Sequence, residues 1–357
     1  MLGTIIAFIV IFTVVVVAHE FGHFLLAKNS GIKVKEFSVG MGPLLFKKTK
    51  GETDYVIRLL PIGGACMFEG EDGNYDGENE EPKDLREIEG TFQSASVWGR
   101  IATVVAGPLF NIILAYLLAI FLCWFCGADI PVLDGVAPGS AAEEAGIQAG
   151  DTIVALGNQR TYLWREITVL SFLSDGSPMD VTYERDGVEY TTTLTPKYSE
   201  ESGRYQFGLD WAETYVDCSD ISVFKYSAYE VRYWLLTTFQ SLGYLFSGNA
   251  SAEDVSGPVG IAQVIDNTIE ETSQFGFFTV ILNMINITVL LSINLGVMNL
   301  LPFPALDGGR LVFLLIEAVR GKPISPEKEG LVHMIGFVAL MILMVFVLFN
   351  DIMRIVG

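Results

Sequence analysis

Four stretches of the chain are apolar over lengths that can cross a bilayer, which takes about 20 helical residues: residues 1–28, 98–127, 274–319 and 331–357. They predict four transmembrane helices. The third is interrupted at Asn299-Leu300-Leu301-Pro302-Phe303-Pro304-Ala305-Leu306-Asp307-Gly308-Gly309-Arg310, where two prolines and two glycines cannot continue a regular helix. Between the second and third stretches the pattern changes. Over residues 128–213, Gly and Pro punctuate short β-type runs such as Thr152–Leu156, Asp180–Tyr183 and Tyr190–Leu194, and Ser140–Ala145 reads as a short helix, which predicts a small β-rich module. In 214–273, Ser222–Phe246 sets Tyr226, Tyr229, Tyr233, Trp234 and Phe239 among scattered charges. That stretch predicts an amphipathic helix at the membrane surface, followed by a linker. Within residues 29–97, Tyr55–Phe68 reads as two short strands about the Pro61-Ile62-Gly63-Gly64 turn.

Charge orients these pieces. Lys28, Lys33, Lys35, Lys47, Lys48 and Lys50 follow the first apolar stretch and no basic residue precedes it, the reverse of a signal peptide. Basic residues collect on the cytoplasmic side, so the loop 29–97 is expected there. Arg100 at the second span agrees, as do Arg320, Lys322 and Lys328 in the loop 320–330. Residues 128–273 and both termini then face outside. Glu69–Glu89 reads as a solvated acidic loop. The net charge of −20 argues against a nucleic-acid partner, which needs a basic stripe, and the 51% apolar content suits a polytopic membrane protein. The four cysteines suggest no disulfide framework. Cys123 and Cys126 have no second pair at zinc-finger spacing and read as small residues of a membrane helix.

The candidate chemistry is His19-Glu20-Phe21-Gly22-His23. His19 and His23, two of the chain's 3 histidines, stand at i and i+4, so both imidazoles project from one helix face and can reach one tetrahedral ion. Glu20 beside them is placed to take a proton from the attacking water and pass it to a leaving amine. From His19 to Lys28 a helix rises about 14 Å, roughly half the apolar core, and ionisable residues at that depth point to function. A catalytic zinc site needs a third protein ligand. Asp307 at the broken helix is the candidate, because irregular backbone at membrane depth occurs only where it is buried in protein or lines a wet cavity. Taken alone, Asp307 also reads as a helix cap or a surface-loop residue. His333 reads as a membrane-interface residue.

These residues resemble the site-2 protease family of intramembrane zinc metalloproteases. The resemblance rests on His19–His23, on Asn299–Gly309, on Ala106-Gly107-Pro108 with Asn111, and on Gly257-Pro258-Val259-Gly260, and so spans nearly the whole chain. It implies Zn2+ held by His19, His23 and Asp307, with Glu20 as catalytic base. It further implies that Asn294 and Asn299 bind an unwound substrate, for which the rival role is bonding between helices of the enzyme. The hairpin around Gly63 and Gly64 either pairs with substrate as an added strand or is purely structural. Val136–Ile153 resembles a bacterial PDZ domain, with Tyr205–Leu209 as its peptide-facing strand, serving either to bind a substrate C-terminus or to exclude bulky substrates.

The resulting expectation is a polytopic α-helical protein of the bacterial cell membrane, with an inserted extracytoplasmic β-rich PDZ domain and a membrane-associated β-hairpin. Its active site lies toward the cytoplasm. It cleaves single-span partners within the lipid bilayer, anti-sigma factors or remnant signal peptides. The contrasting reading is a non-catalytic membrane scaffold that presents a PDZ domain. A transporter is a poorer fit, since no paired broken helix is present, and a tethered soluble-type zinc protease would hold the motif outside the lipid.

Overall fold

The computed structural model describes residues 2–70, 85–248 and 255–356. Most of the acidic stretch Glu69–Glu89 therefore lies outside the described residues. The chain divides into two units, Met1–Ala115 with Ala250–Gly357, and Tyr116–Asn249. Among the described residues, four helices are long and apolar enough to cross a membrane: α1 (Leu2–Asn29), α2 (Val97–Cys126), α7 (Phe277–Leu300) and α9 (Pro326–Val356).

In the first unit, α1 is apolar on all sides, so hydrophobicity alone does not choose its buried face. The buried face is the stripe Thr4, Ile11, Val15, His19, Gly22, His23 and Ala27, whose spacing of three, four and seven residues keeps it on one side of a helix. Leu2, Ile5, Ile6, Val10 and Val14 are left exposed, as befits a surface that meets lipid. In its most apolar window α7 is 39% buried and α9 only 6%, so α7 is the enclosed helix and α9 the peripheral one. The third apolar stretch breaks as expected: α7 stops at Leu300, an irregular turn follows, and α8 (Asp307–Arg320) starts on Asp307.

The hairpin differs from its sequence reading. β1 (Val34–Lys50) and β2 (Thr53–Phe68) are joined by a turn at Gly51–Glu52, with Gly51 at φ +65°, and residues 44–50 pair antiparallel with 53–58. Pro61–Gly64 is where β2 folds back, as its residues suggest: residues 54–57 before it and 64–67 after it both pair with residues 36–39 of β1, and Gly63 takes φ +83°. The physical reason is that a proline takes no ladder hydrogen bond and a glycine reaches positive φ at little cost, so the segment suits a reversal. The sequence reading missed the partner strand, although Phe37, Val39 and Met41 alternate along it. A second element absent from the sequence reading is α6 (Pro258–Ser273) in the supposed linker. Its N-terminal amides at Gly257 and Gly260 donate to Asp351 of α9 at 3.1 and 2.9 Å, an acid at a helix N-terminus.

The second unit is built on an antiparallel sheet in the order β6 (Gln159–Arg160), β5 (Thr152–Leu156), β7 (Met179–Arg185), β8 (Val188–Leu194). Two short helices, α3 (Ala141–Glu144) and α4 (Trp164–Phe172), complete it, and Ile147, Ile153, Val181, Leu194 and Phe207 form its core. Short pairs close the module: β3 (Ala128–Asp129) with β12 (Tyr215–Val216), β4 (Leu133–Val136) with β11 (Leu209–Trp211), and β9 (Lys197–Ser199) with β10 (Arg204–Gln206). Tyr205–Leu209 is thus not one strand. Phe207 turns into the core, and the Phe207 and Gly208 carbonyls accept the amides of Ala142 and Ala137.

α5 (Ser222–Phe246) turns one face onto this module. Tyr229 stacks on Tyr162 at 4.0 Å, and Glu230 accepts from Arg165 at 2.8 Å and from Trp234 at 3.0 Å. Its other side leaves Phe224, Phe239 and Phe246 exposed. Arg165 also donates to Asp129 at 2.7 Å. Burial pushes the Glu230 carboxyl above its ordinary range, and nearby Asp129 adds to the shift against the pull of Arg165. Burial also works against the charge of Arg165, but Glu230 and Asp129 outweigh it and hold the guanidinium above its usual value. Arg165→Met leaves two buried carboxylates without their cation. It should destabilise this unit by about 3–5 kcal/mol, read as faster hydrogen exchange across β5, β7 and α5, with Glu230→Gln restoring part of the loss.

Candidate metal centre

Helical spacing puts His19 and His23 one turn apart on the buried stripe of α1, and the break before α8 carries Asp307 to them. The Nε2 atoms of the two histidines lie 3.3 Å apart. Asp307 Oδ2 lies 3.1 Å from His19 Nε2 and 3.3 Å from His23 Nε2. Four ligands around one ion at bonds of ~2.0–2.1 Å stand about 3.3 Å apart in a tetrahedron, so the triangle has the dimensions of three corners of such a site. Asp307 Oδ2 is buried and meets no hydrogen-bond geometry; a cation between the three atoms satisfies all of them. Among the described residues, this is the one His/Cys/Asp/Glu cluster with the reach to hold a metal. Two nitrogens and one carboxylate oxygen are a donor set that suits zinc.

The remaining ring nitrogens decide whether the lone pairs point inward. His23 Nδ1 donates to the Thr103 carbonyl at 2.8 Å, which leaves Nε2 free to ligate. His19 Nδ1 lies 3.3 Å from the Asn111 amide. Asn111 is fully buried, and its Oδ1 has no hydrogen-bond partner. Turning that amide over lets Oδ1 accept the Nδ1 proton and frees His19 Nε2 as well. Thr103, Gly107 and Asn111 are spaced by four residues and line one stripe of α2 facing the histidines. Gly107 keeps room for them: a Cβ there would stand 2.2 Å from His23 Nε2. Across the same contact, a Cβ on Gly22 would stand 2.3 Å from the Ala106 carbonyl oxygen.

A cavity of about 190 Å³ opens on this triangle, lined by Glu20, Cys66, Asn299, Leu306 and Arg310 besides the three candidate ligands. Of the residues singled out in the sequence, Asn299 lies on the cavity and Asn294, farther back along α7, does not. Gly64 packs against the Glu20 side chain, where a Cβ would meet Cγ at 3.1 Å. Gly63 faces Met41 instead. The sequence reading passed over Thr103, Cys66 and Arg310, and quoted Asn111 without a role. Arg310 had a signal, since it stands one turn after Asp307 on the same helix. Thr103 acts through its backbone carbonyl, which no residue pattern can announce.

The pattern of peptidase family M50 matches residues 7–343. The chain belongs to this family, that of the site-2 proteases. The zinc metalloprotease RasP of Geobacillus kaustophilus is 35% identical over 99% of this chain and 98% of its own length. The putative zinc metalloprotease CA_C1796 of Clostridium acetobutylicum is 36% identical, with 96% of each chain covered. The regulator of sigma-W protease RasP of Bacillus subtilis is 32% identical, with 99% of each covered. This site-2 protease is accordingly a zinc metalloprotease and a membrane protein of bacterial type. Because Gly107 sets how closely α2 approaches the histidines, Gly107→Ala should lower zinc content per chain well below that of the parent enzyme, as measured by elemental analysis of the purified protein.

Proposed function

We propose that the enzyme is an intramembrane endopeptidase that cuts the transmembrane segments of single-span proteins, with zinc held by His19, His23 and Asp307. The observation that carries this reading is the meeting of two histidines from the middle of a membrane-length helix with the acid of a broken helix. Zinc, when bound, polarises the scissile carbonyl and makes water a nucleophile at neutral pH. Glu20, on the cavity beside the histidines, takes the proton of the attacking water and delivers it to the leaving amine. A substrate helix must unwind to expose its carbonyls. Asn299, with Asn294 behind it on α7, offers amide groups to the freed backbone. β2 runs past Glu20 at Gly64 and pairs with β1 on one side; an extended substrate added along it near Gly63 and Gly64 would lie beside the base.

The lysines after α1, with Arg100, Arg320, Lys322 and Lys328, support a cytoplasm-facing active site and an outside β-rich domain. We read that domain as PDZ: an antiparallel sheet flanked by two short helices, with β11 paired to β4 on one side and able to take a peptide C-terminus on the other. The similarity to the regulator of sigma-W protease RasP of Bacillus subtilis favours anti-sigma factors over remnant signal peptides as the substrate class.

Glu20→Gln should keep zinc near that of the parent and lower cleavage of a single-span reporter by about 10²–10⁴-fold, the usual worth of a general base. Asp307→Ala should lose the metal, and chelation should silence the parent reversibly. Undiminished cleavage by Glu20→Gln would overturn the protease mechanism and leave the scaffold reading standing.

A further inference from the structure

His333, read from sequence as an interface residue, sits against the break that precedes Asp307. The break contains few backbone donors. Pro302 and Pro304 have none, and the amides of Phe303 and Leu306 are bonded within the turn, to Leu301 and Phe303. The amide of Ala305 points the other way and donates to His333 Nδ1 at 2.9 Å. Ala305 also holds φ at +78°, one of three non-glycine residues with positive φ among those described. That is a conformation an L side chain adopts only under constraint. One turn along α9 from His333, Gly336 presses on the same segment: a Cβ there would stand 2.4 Å from both Cβ and the carbonyl oxygen of Pro304. α9 is otherwise the least buried of the long helices, so this grip on Pro304–Ala305 is a specific contact within a loosely packed one. Ala305 and Leu306 line the metal-side cavity, and Asp307 comes next.

We propose that His333 is a positioning residue of the metal centre: by accepting the Ala305 amide, it holds the left-handed turn that delivers Asp307 to His19 and His23. The inference rests on the reading of Asp307 as a ligand. Accepting at Nδ1 puts the imidazole proton on Nε2, so the clamp needs an acceptor at the Nδ1 position and nothing further from the ring. An asparagine in its place offers Oδ1 at nearly the same distance from the backbone. A glycine at 305 would adopt positive φ without a clamp.

The test uses the full-length enzyme in detergent or nanodiscs. It reads the rate of zinc loss to a chelator, kcat and KM on a reporter, and the thermal midpoint. His333→Ala should release zinc about tenfold faster, the usual scale for losing a group that orients a ligand, and should lower kcat more than KM. His333→Asn should behave like the parent, and Ala305→Gly added to His333→Ala should restore slow zinc loss. The inference is overturned if His333→Ala lowers only the thermal midpoint while zinc leaves at the parental rate, if His333→Asn is as impaired as His333→Ala, or if glycine at 305 restores nothing. Should His333→Ala not accumulate, hydrogen exchange of the Ala305 amide decides: protection in parent and His333→Asn supports the clamp, and free exchange in the parent sinks it. An Asp307→Ala enzyme that binds zinc as tightly as the parent would defeat the ligand reading itself. Zinc-free Asp307→Ala beside an unaffected His333→Ala would defeat the clamp alone.

Discussion

A polar backbone interrupted at membrane depth must find partners for its freed groups without water, and this one constraint organises the first unit. Prolines remove two donors from the break between α7 and α8, the turn bonds two of its own, and His333 of α9 takes another. Only because those groups are satisfied can the chain start α8 on Asp307 and turn the acid toward the histidines rather than continue the helix through it. The left-handed Ala305 costs of order 1–2 kcal/mol, and the contacts of Pro304 and Ala305 with α9 offset it. The acid thus reaches the two histidines of α1 from a segment that is irregular yet held on both sides.

The histidines face a complementary constraint. Two neutral imidazoles serve one ion only if each carries its proton on the far nitrogen, and in an apolar interior that proton needs an acceptor. α2 carries one for each ring, the Thr103 carbonyl and, with its amide turned over, Asn111 Oδ1, four residues either side of Gly107. Gly107 and Gly22 let the two helices approach closely enough for those bonds to form. Close packing of small residues is how membrane helices associate at all, so here the device that joins α1 to α2 also sets the tautomers of the metal site.

The second unit solves a different problem by ordinary means. Its apolar core is small, and α5 docks on it largely through stacked aromatics and the buried Asp129–Arg165–Glu230 group. Such a group adds little net stability over an apolar contact but strongly penalises its own disruption, which suits a helix whose opposite side is itself apolar and has other surfaces available to it.

Much of this was legible in the sequence, and the limits of legibility are physical. Local patterns determined what local physics controls. The four membrane-length helices follow from run length, the paired histidines from helical spacing, the broken helix from two prolines and two glycines, and the β-rich module from short runs between turns. Even the third candidate ligand could be nominated, because an acid in a broken apolar helix is costly without a use. Tertiary structure decided whatever depends on a partner distant in the chain. Pro61–Gly64 reverses the strand as its residues suggest, but that both arms around it pair with β1 was decided by a partner strand outside the local pattern. α6 emerged from a supposed linker because its amphipathic face found α1 and α7, and its N-terminus found Asp351. Asn299 came to the cavity and Gly64 to the Glu20 side chain, while Asn294 does not line the cavity and Gly63 faces Met41, since a helix or strand commits each position to one side only after its neighbours are placed. His19-Glu20-Phe21-Gly22-His23 nominates a metal from sequence alone; that Thr103, Asn111 and Gly107 gather around its histidines, and His333 against the turn before Asp307, is a matter of packing, which no local pattern encodes.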